Sequence, residues 1–173
     1  ERLRGYAQQW LAELSGGEVV VDQVRLDWRG GLHLVGVTVA TPAGLHFDPR
    51  DDSRAGRTVF RAEAVFLRLR PVSVLTGRLA VREVVAIRPR LTLARRMPDG
   101  QWNWEDLLKG RAVRAGGVVG RLPVIRLRGV EVVLERLEEG GRVRGEPVKL
   151  WAEARPAAER PECYEIELTR LFD

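Results

Sequence analysis

The feature that most constrains this chain is a two-residue alternation of apolar and polar side chains, which begins near Val19 and recurs in long runs. Successive side chains of a β-strand point to opposite faces, so each run predicts a strand with one apolar and one wet face. The runs 19–39, 79–93 and 124–134 share a form: short alternation, a central irregularity and more alternation. This repeated pattern predicts a meander of long antiparallel strands. The lack of long helices between the strands argues against a doubly wound parallel sheet.

The irregularities carry information about individual strands. At Val35-Gly36 the apolar phase slips by one residue, as a β-bulge requires. In the longest run, Leu79–Arg95, the apolar residues keep one parity, and Pro89 predicts a bulge or a sheet edge at that point. A strand is then expected over 124–136 with a break at Gly129.

Three segments change to helical spacing. At the N-terminus an apolar stripe recurs at the i, i+3, i+4, i+7 spacing of a helix. Its members are Leu3, Tyr6, Ala7, Trp10, Leu11 and Leu14. Ser15-Gly16-Gly17 is typical of a helix C-cap, and we expect this helix to pack on the sheet, with a membrane surface as the alternative. Short helices are also predicted over 71–77 and after Trp102, with Asn103 as the N-cap.

These elements predict an α+β fold that is dominated by long antiparallel strands. Its expected divisions are a helix over 1–17, a first sheet section over 18–109, a linker over 110–122 and continuing strands over 123–173. The chain opens with Glu1 rather than Met, and its last residues read as a strand without a turn. We therefore expect a fragment of a longer protein.

Composition excludes several classes of protein. With 45% apolar residues over 173 positions, the chain can bury a core, so it is not a wholly disordered protein. One cysteine excludes an intramolecular disulfide, and two histidines argue against a structural zinc site. No apolar run approaches the roughly 18 residues that a membrane-spanning helix needs.

Arginine supplies 27 of the 29 basic residues, and the sequence pI is about 10.3. Such a balance raises the question of nucleic acid. The arginines, however, alternate with apolar residues and acids, as in Arg25-Leu26-Asp27, and the net charge of +5 is spread over the whole chain. Because phosphate tracking needs concentrated basic clusters, we expect no nucleic-acid partner.

Catalytic and metal-binding patterns are weak. Cys163 is far in sequence from His33 and His46, so we expect a buried structural thiol rather than a nucleophile. The acids of 48–52 do not match a calcium loop, and 116–120 lacks the lysine of a phosphate-binding loop. We therefore expect a protein that is not an enzyme, with no catalytic residues, no metal and no cofactor.

The run 77–108 resembles the N-terminal region of the AsmA-like family, in which a strand, a short turn, an Asn and a helix ending in Leu-Leu follow one another. The matching residues are Val84, Ile87, Pro89, Leu91, Leu93, Asp99, Gly100, Asn103, Leu107 and Leu108. The resemblance extends over about 10–136 and departs in the loop 42–57.

The resemblance implies a protein of diderm bacteria that is anchored in the inner membrane by an upstream helix and extends through the periplasm. Family members, including TamB- and YhdP-type proteins, form a curved, taco-like β-groove related to the chorein-type bridge lipid carriers. The implied function is phospholipid transport towards the outer membrane through that hydrophobic groove. The implied partners are phospholipid, the inner membrane and other envelope proteins.

We predict that the apolar face of the sheet lines such a groove. The candidate lining residues are Val85, Ile87, Leu91, Leu93, Val130, Val132, Leu134, Val148, Leu150, Ile166 and Leu168. The same side chains are also compatible with a closed core. A second hypothesis is a non-enzymatic structural or adaptor domain that docks another envelope protein through an arginine-rich wet face, with Arg82 and Arg88 on that face.

Overall fold

The fold is described from a computed structural model over residues 2–27, 30–42, 57–70, 80–97, 99–114, 122–159 and 163–171. In these residues the chain forms two helices, α1 (Arg2–Ser15) and α2 (Asn103–Arg114). It also forms the strands β1 (Glu18–Asp27), β2 (Gly31–Ala40), β3 (Thr58–Leu69), β4 (Val81–Ile87), β5 (Arg90–Arg96), β6 (Val124–Glu138), β7 (Gly141–Arg144), β8 (Val148–Pro156) and β9 (Tyr164–Arg170). All of these strands join one mixed sheet, so the predicted α+β, β-dominated fold is confirmed.

The strands follow the order β1-β2-β3-β4-β6-β8-β9, with β5 between β3 and β6 and β7 beside β6. Two of the described strand pairs are parallel, β4 with β6 and β5 with β6, and the other pairs are antiparallel. The predicted antiparallel meander is therefore wrong at this one junction. A parallel neighbour requires a crossover of a dozen or more residues, and the chain between β5 and β6, which includes α2, supplies it.

β4 and β5 are the two halves of one broken strand. Their registers against β3 and against β6 continue without a shift from one half to the other. The break lies at Arg88-Pro89, where Arg88 has a φ of 45° and the ring of Pro89 removes an N–H donor. The backbone N–H of Arg88 and the carbonyl of Pro89 still bond to β6, each at 2.8 Å. Pro89 interrupts the strand in the interior of the sheet, but no residue is inserted there relative to β3 or β6, so the bulge or sheet edge predicted at Pro89 is wrong.

Three strands enter the left-handed backbone region at matching positions. Gly36 in β2, Arg88 and Gly129 in β6 have φ angles of 64°, 45° and 64°. Gly36 lies between Asp22 of β1 and Glu63 of β3, since the pairs on both sides of it are in register. Arg88 is ion-paired with Glu63 at 3.8 Å, and a Cβ built on Gly129 would lie 3.8 Å from Cγ of Arg88. We call this transverse row, Asp22–Gly36–Glu63–Arg88–Gly129, the crease.

The crease shifts the side-chain phase of the strands from β1 to β6. In a regular strand, side chains on one face are two residues apart. Across the crease the side chains on the face of the main core are three apart. These pairs are Val21 and Val24, Leu34 and Val37, Ala62 and Val65, Ala86 and Pro89, Leu127 and Val130. Because these strands slip at the same line, the face of the main core continues beyond the crease through Leu91 and Val132. The opposite face of β5 and β6 also carries buried apolar side chains there, namely Ala94, Val133 and Leu137.

α1 packs on this face as predicted. Ala7 and Leu11 are buried in the core, together with side chains of β1 to β4. Gly16 has a φ of 77°, and its N–H donates to the carbonyl four residues earlier at 2.8 Å, so the glycine C-cap is confirmed. The first turn differs from the prediction, because Leu3 and Tyr6 are 42% and 41% exposed. Only the later part of the apolar stripe meets the sheet.

The expected divisions of the chain are partly revised. The linker expected over 110–122 begins as helix, since α2 continues to Arg114. β6 then pairs with β4 and β5, so the strands before and after this segment belong to the same sheet. The short helix expected over 71–77 and most of the loop 42–57 lie outside the described residues.

Substitution of Gly36 tests the crease. A Cβ at Gly36 would overlap the carboxylate of Asp22, and its φ of 64° is rarely adopted by L residues. We expect Gly36→Ala to lower the free energy of unfolding by roughly 1–3 kcal/mol in a urea titration. Gly5→Ala in α1 is the control, because a Cβ there meets nothing within 4 Å and should stabilise the helix by up to about 1 kcal/mol. Equal effects of the two substitutions would contradict this role of the crease.

Candidate functional site

The face that carries the core is apolar from one side of the sheet to the other, and we call it the apolar face. Between β4 and β9 its side chains form rows that follow the strand pairing. On one side of the crease the rows are Val84, Ile125, Ala154 and Ile166, then Ala86, Leu127, Ala152 and Leu168. On the other side they are Val130 and Leu150, then Leu91, Val132 and Val148, then Leu93 and Leu134.

α1 covers only one side of the apolar face. α1 packs against β1 and also contacts α2, which lies against β5. Beneath α1, Leu34, Val37 and Val65 are no more than 2% exposed. Farther across the sheet the exposure rises, to 49% at Leu134 on β6 and 65% at Leu168 on β9. The apolar face is thus a closed core on one side of the sheet and an open surface on the other.

Nine of the eleven predicted lining residues lie on the apolar face. These are Leu91, Leu93, Val130, Val132, Leu134, Val148, Leu150, Ile166 and Leu168. Val130 is buried beneath its neighbours, whereas Ile166 and Leu168 are the most exposed of the set. Val85 and Ile87 lie on the opposite face, because the slip at Arg88-Pro89 reverses the parity that the sequence suggested. Their places on the apolar face are taken by Val84 and Ala86.

The opposite face carries a row of alternating charges across four strands. Glu83 of β4 is 7% exposed; it pairs with Arg68 of β3 at 3.0 Å and with Arg126 of β6. Arg126 lies 3.3 Å from Glu153 of β8, which also accepts a 2.6 Å hydrogen bond from Arg155. We call Arg68–Glu83–Arg126–Glu153–Arg155 the charge ladder. The charge ladder gives three of the chain's many arginines, Arg68, Arg126 and Arg155, ion-pair partners within the sheet.

The ladder changes the pKa values of Arg126, Glu153 and Arg155. The Arg155 and Arg126 guanidiniums hold the pKa of the Glu153 carboxyl below its ordinary value of 4.5. Hydrogen bonding to Glu153 in turn raises the pKa values of Arg126 and Arg155. Arg126 and Arg155 therefore remain cations over the whole pH range in which Glu153 titrates.

The lowered pKa of Glu153 predicts how stability depends on acid. Because the folded state binds the Glu153 proton less tightly than the unfolded state, the carboxylate stabilises the fold above pH 4.5, and this contribution is lost as the pH falls through the lower folded pKa. We expect Glu153→Gln to flatten the acid limb of melting temperature against pH between about pH 3 and 6. Glu146→Gln is the control, since Glu146 is exposed and makes no ion pair with the described residues. Parallel acid limbs in wild type and Glu153→Gln would refute the assignment.

One end of the apolar face carries arginines instead of aliphatic residues. Arg95 of β5 and Arg136 of β6 are cross-strand partners. Trp102 pairs with Arg95 on one side, and Val143 of β7 pairs with Arg136 on the other. We call Trp102–Arg95–Arg136–Val143 the arginine row. Arg95 lies over the Trp102 ring, 5.7 Å from its centroid. The row borders a depression of about 390 Å³, and Leu134 of the adjacent row lines it as well. No sequence pattern pointed to this row, because its members come from four separate segments of the chain.

Asn103 holds the start of α2 against β5. Its side-chain oxygen accepts the backbone N–H of Ala94 at 3.1 Å, and its amide donates to the carbonyl of Thr92 at 2.9 Å. The predicted N-cap role is wrong: the Glu105 carboxylate accepts the Trp102 N–H at 3.4 Å, as in a capping box that starts one residue earlier. Asn103 instead satisfies backbone groups of β5, which places Trp102 beside Arg95.

Asn103→Ala should therefore loosen α2 from the sheet. The substitution leaves a buried N–H and carbonyl of β5 without partners, and we expect the free energy of unfolding to fall by about 1–3 kcal/mol. Asn103→Asp keeps the acceptor but places a buried carboxylate oxygen against the Thr92 carbonyl, so its loss should be at least as large. Gln9→Ala, at an exposed position of α1, serves as the neutral control in the same urea titration. An unchanged midpoint for Asn103→Ala would exclude the anchoring role.

The remaining candidate groups lie apart. His33 is on the face opposite Leu32 and Leu34, as expected, and stacks on Phe66 with ring centroids 4.5 Å apart. Cys163 was expected to be buried, and this is wrong: it is exposed, directly before β9. Within the described residues no three His, Cys, Asp or Glu side chains group together as metal ligands. Among those residues there is likewise no helix with the length and apolar character to span a membrane.

Comparison with known proteins gives no further identification. No protein-family model matches the chain, and no curated protein matches it.

Proposed function

We propose that this chain is an AsmA-like segment whose apolar face holds the acyl chains of phospholipids. The observation that carries the proposal is the open part of that face, where apolar rows continue across β6, β8 and β9 while exposure rises to 67% at Ile166. Monomeric proteins seldom leave a large contiguous apolar surface without a partner. An acyl chain suits this surface because it gains about 0.8 kcal/mol per buried CH₂ and makes no demand on hydrogen bonding.

The shape of the site supports passage as well as binding. The rows repeat aliphatic side chains of similar size along and across the strands, so neighbouring positions offer similar contacts to a hydrocarbon chain. The crease places three left-handed backbone positions, Gly36, Arg88 and Gly129, in one line across the sheet. We infer a trough along which a lipid moves between sites of similar energy, with its headgroup in water.

The cellular setting follows from the resemblance and is part of the proposal. The segment would act in the periplasm of a diderm bacterium, attached to the inner membrane through an upstream helix and contributing to outer-membrane biogenesis. The chemistry of the proposal needs no bond cleavage and no metal. Other envelope proteins are further partners under this proposal.

Charge substitutions on the two faces of β9 test the proposal. Leu168→Asp puts a carboxylate where an acyl chain would lie, and its desolvation should weaken binding of a fluorescent phospholipid by about tenfold or more. Thr169→Asp is the matched control, because the neighbouring side chain lies on the opposite face. Native mass spectrometry after extraction in mild detergent should also detect phospholipid bound to the wild type. Wild-type protein that carries and binds no lipid would overturn the proposal.

The adaptor hypothesis makes a different prediction. A photo-crosslinker at Leu134 should capture lipid if the apolar face is the working surface, whereas one at Arg82 or Arg88 should capture little. Arg68, Arg126 and Arg155 are already held in the charge ladder, which leaves fewer cations to dock an acidic protein. A specific protein crosslinked from Arg82 or Arg88, with none from Leu134, would favour the adaptor.

A further inference from the structure

The arginines at the end of the apolar face lie side by side. Arg95 and Arg136 are direct cross-strand partners, and like charges in that arrangement repel. Arg95 donates to the Gly100 carbonyl at 3.3 Å but makes no ion pair with any described residue. Arg136 has a distant contact with Glu138, at 3.9 Å and with both side chains exposed.

Arg95 and Arg136 line the depression in the surface. Trp102 flanks Arg95 on one side and Val143 flanks Arg136 on the other, along the border of the depression. The carboxylate nearby is Glu135, which Arg142 and Arg144 hold at 3.7 and 3.8 Å. Glu135 also lines the depression, but it directly precedes Arg136 in β6, so its side chain leaves the opposite face of the strand. Arg95 lies over the Trp102 ring and uses its Nε donor on Gly100, and the planar fork of a guanidinium suits bidentate binding of phosphate oxygens.

The apolar rows begin directly behind the arginines. Leu93 and Leu134 form the adjacent row, and Leu91 and Val132 form the next. At about 3.3 Å per residue, the distance from the arginine row to Pro89 is roughly 20 Å. One leaflet of a bilayer is about 15 Å of hydrocarbon, half of a core of about 30 Å. A lipid with its phosphate at the arginines therefore finds an apolar surface as long as its acyl chains.

We propose that Arg95 and Arg136 bind the phosphate of a diacyl phospholipid whose chains lie along the apolar face towards the crease. This inference rests on the proposed function and adds to it a class of substrate and an orientation. The phosphate takes the space between the two guanidiniums and relieves their repulsion. Trp102 and Val143 border the headgroup, and Leu93 and Leu134 meet the first carbons of the chains.

The test compares lipids that differ only in the phosphate headgroup. Wild-type protein should bind dioctanoyl phosphatidylglycerol about tenfold more tightly than dioctanoylglycerol, and the difference should shrink with added salt because an exposed charge pair is screened. Arg136→Gln and Arg95→Gln should each abolish most of that preference while leaving dioctanoylglycerol binding unchanged. Arg136→Lys, which keeps the charge, should retain part of the preference. Arg128→Gln, an exposed arginine on the opposite face, should change neither affinity.

The possible outcomes separate the two proposals. Equal binding of both lipids by the wild type would overturn the phosphate site and leave the apolar face as a lipid surface. Binding of neither lipid would overturn both. Inorganic phosphate is the second probe: if it binds Arg95 and Arg136 as tightly as the lipid does, the site takes free phosphate and the lipid assignment is wrong. Circular dichroism melts of the Arg95 and Arg136 variants should match the wild type, since both side chains lie at the surface, and a large loss of melting temperature would point to a structural role instead.

Discussion

Side-chain phase is the constraint on which the rest of this structure depends. A strand that slips by one residue turns every later side chain to the other face, so an isolated bulge would mix charged and apolar residues on both faces. Here the slips of β1 to β6 fall on one transverse line, marked by the positive φ angles of Gly36, Arg88 and Gly129. The common line continues the face of the main core beyond the crease as far as Leu93 and Leu134. The core under α1 and the open rows of β8 and β9 both follow from it.

The two faces of the sheet differ in what their side chains contribute. The charge ladder places opposite signs on neighbouring strands, which favours the observed register because like charges across strands repel. Its exposed pairs add little to overall stability, since surface ion pairs are worth about 0–1 kcal/mol each. Burial of Leu34, Val65 and their neighbours beneath α1 stabilises the fold more than these ion pairs do. The same apolar chemistry, left open beyond β6, forms the surface that we propose binds lipid.

Individual residues show which features of the fold could be predicted from the sequence and which could not. The slip at Val35-Gly36 was visible because valines flank it on both sides, whereas the slip at Arg88-Pro89 was hidden because Ile87 and Leu91 happen to share a parity. The face of Val85 and Ile87 was therefore predicted wrongly. Asn103 was recognised as a residue at the start of a helix, but its bonds to β5 involve a strand nine or more residues away. Local patterns contain no information on such partners.

The sequence by itself determined the strand-rich class, the alternation of most strands, the glycine that ends α1 and the presence of breaks at Pro89 and Gly129. These are local properties, set by side-chain periodicity and by backbone preferences of single residues. Only the tertiary structure decided that the breaks align, that β6 enters parallel to β4 and β5, and that Arg95 meets Arg136. Each of these depends on register between segments that are distant in the chain, as the separate strands of Arg95 and Arg136 show. Strand pairing, not local sequence, assembled the apolar face and the arginine row at its end.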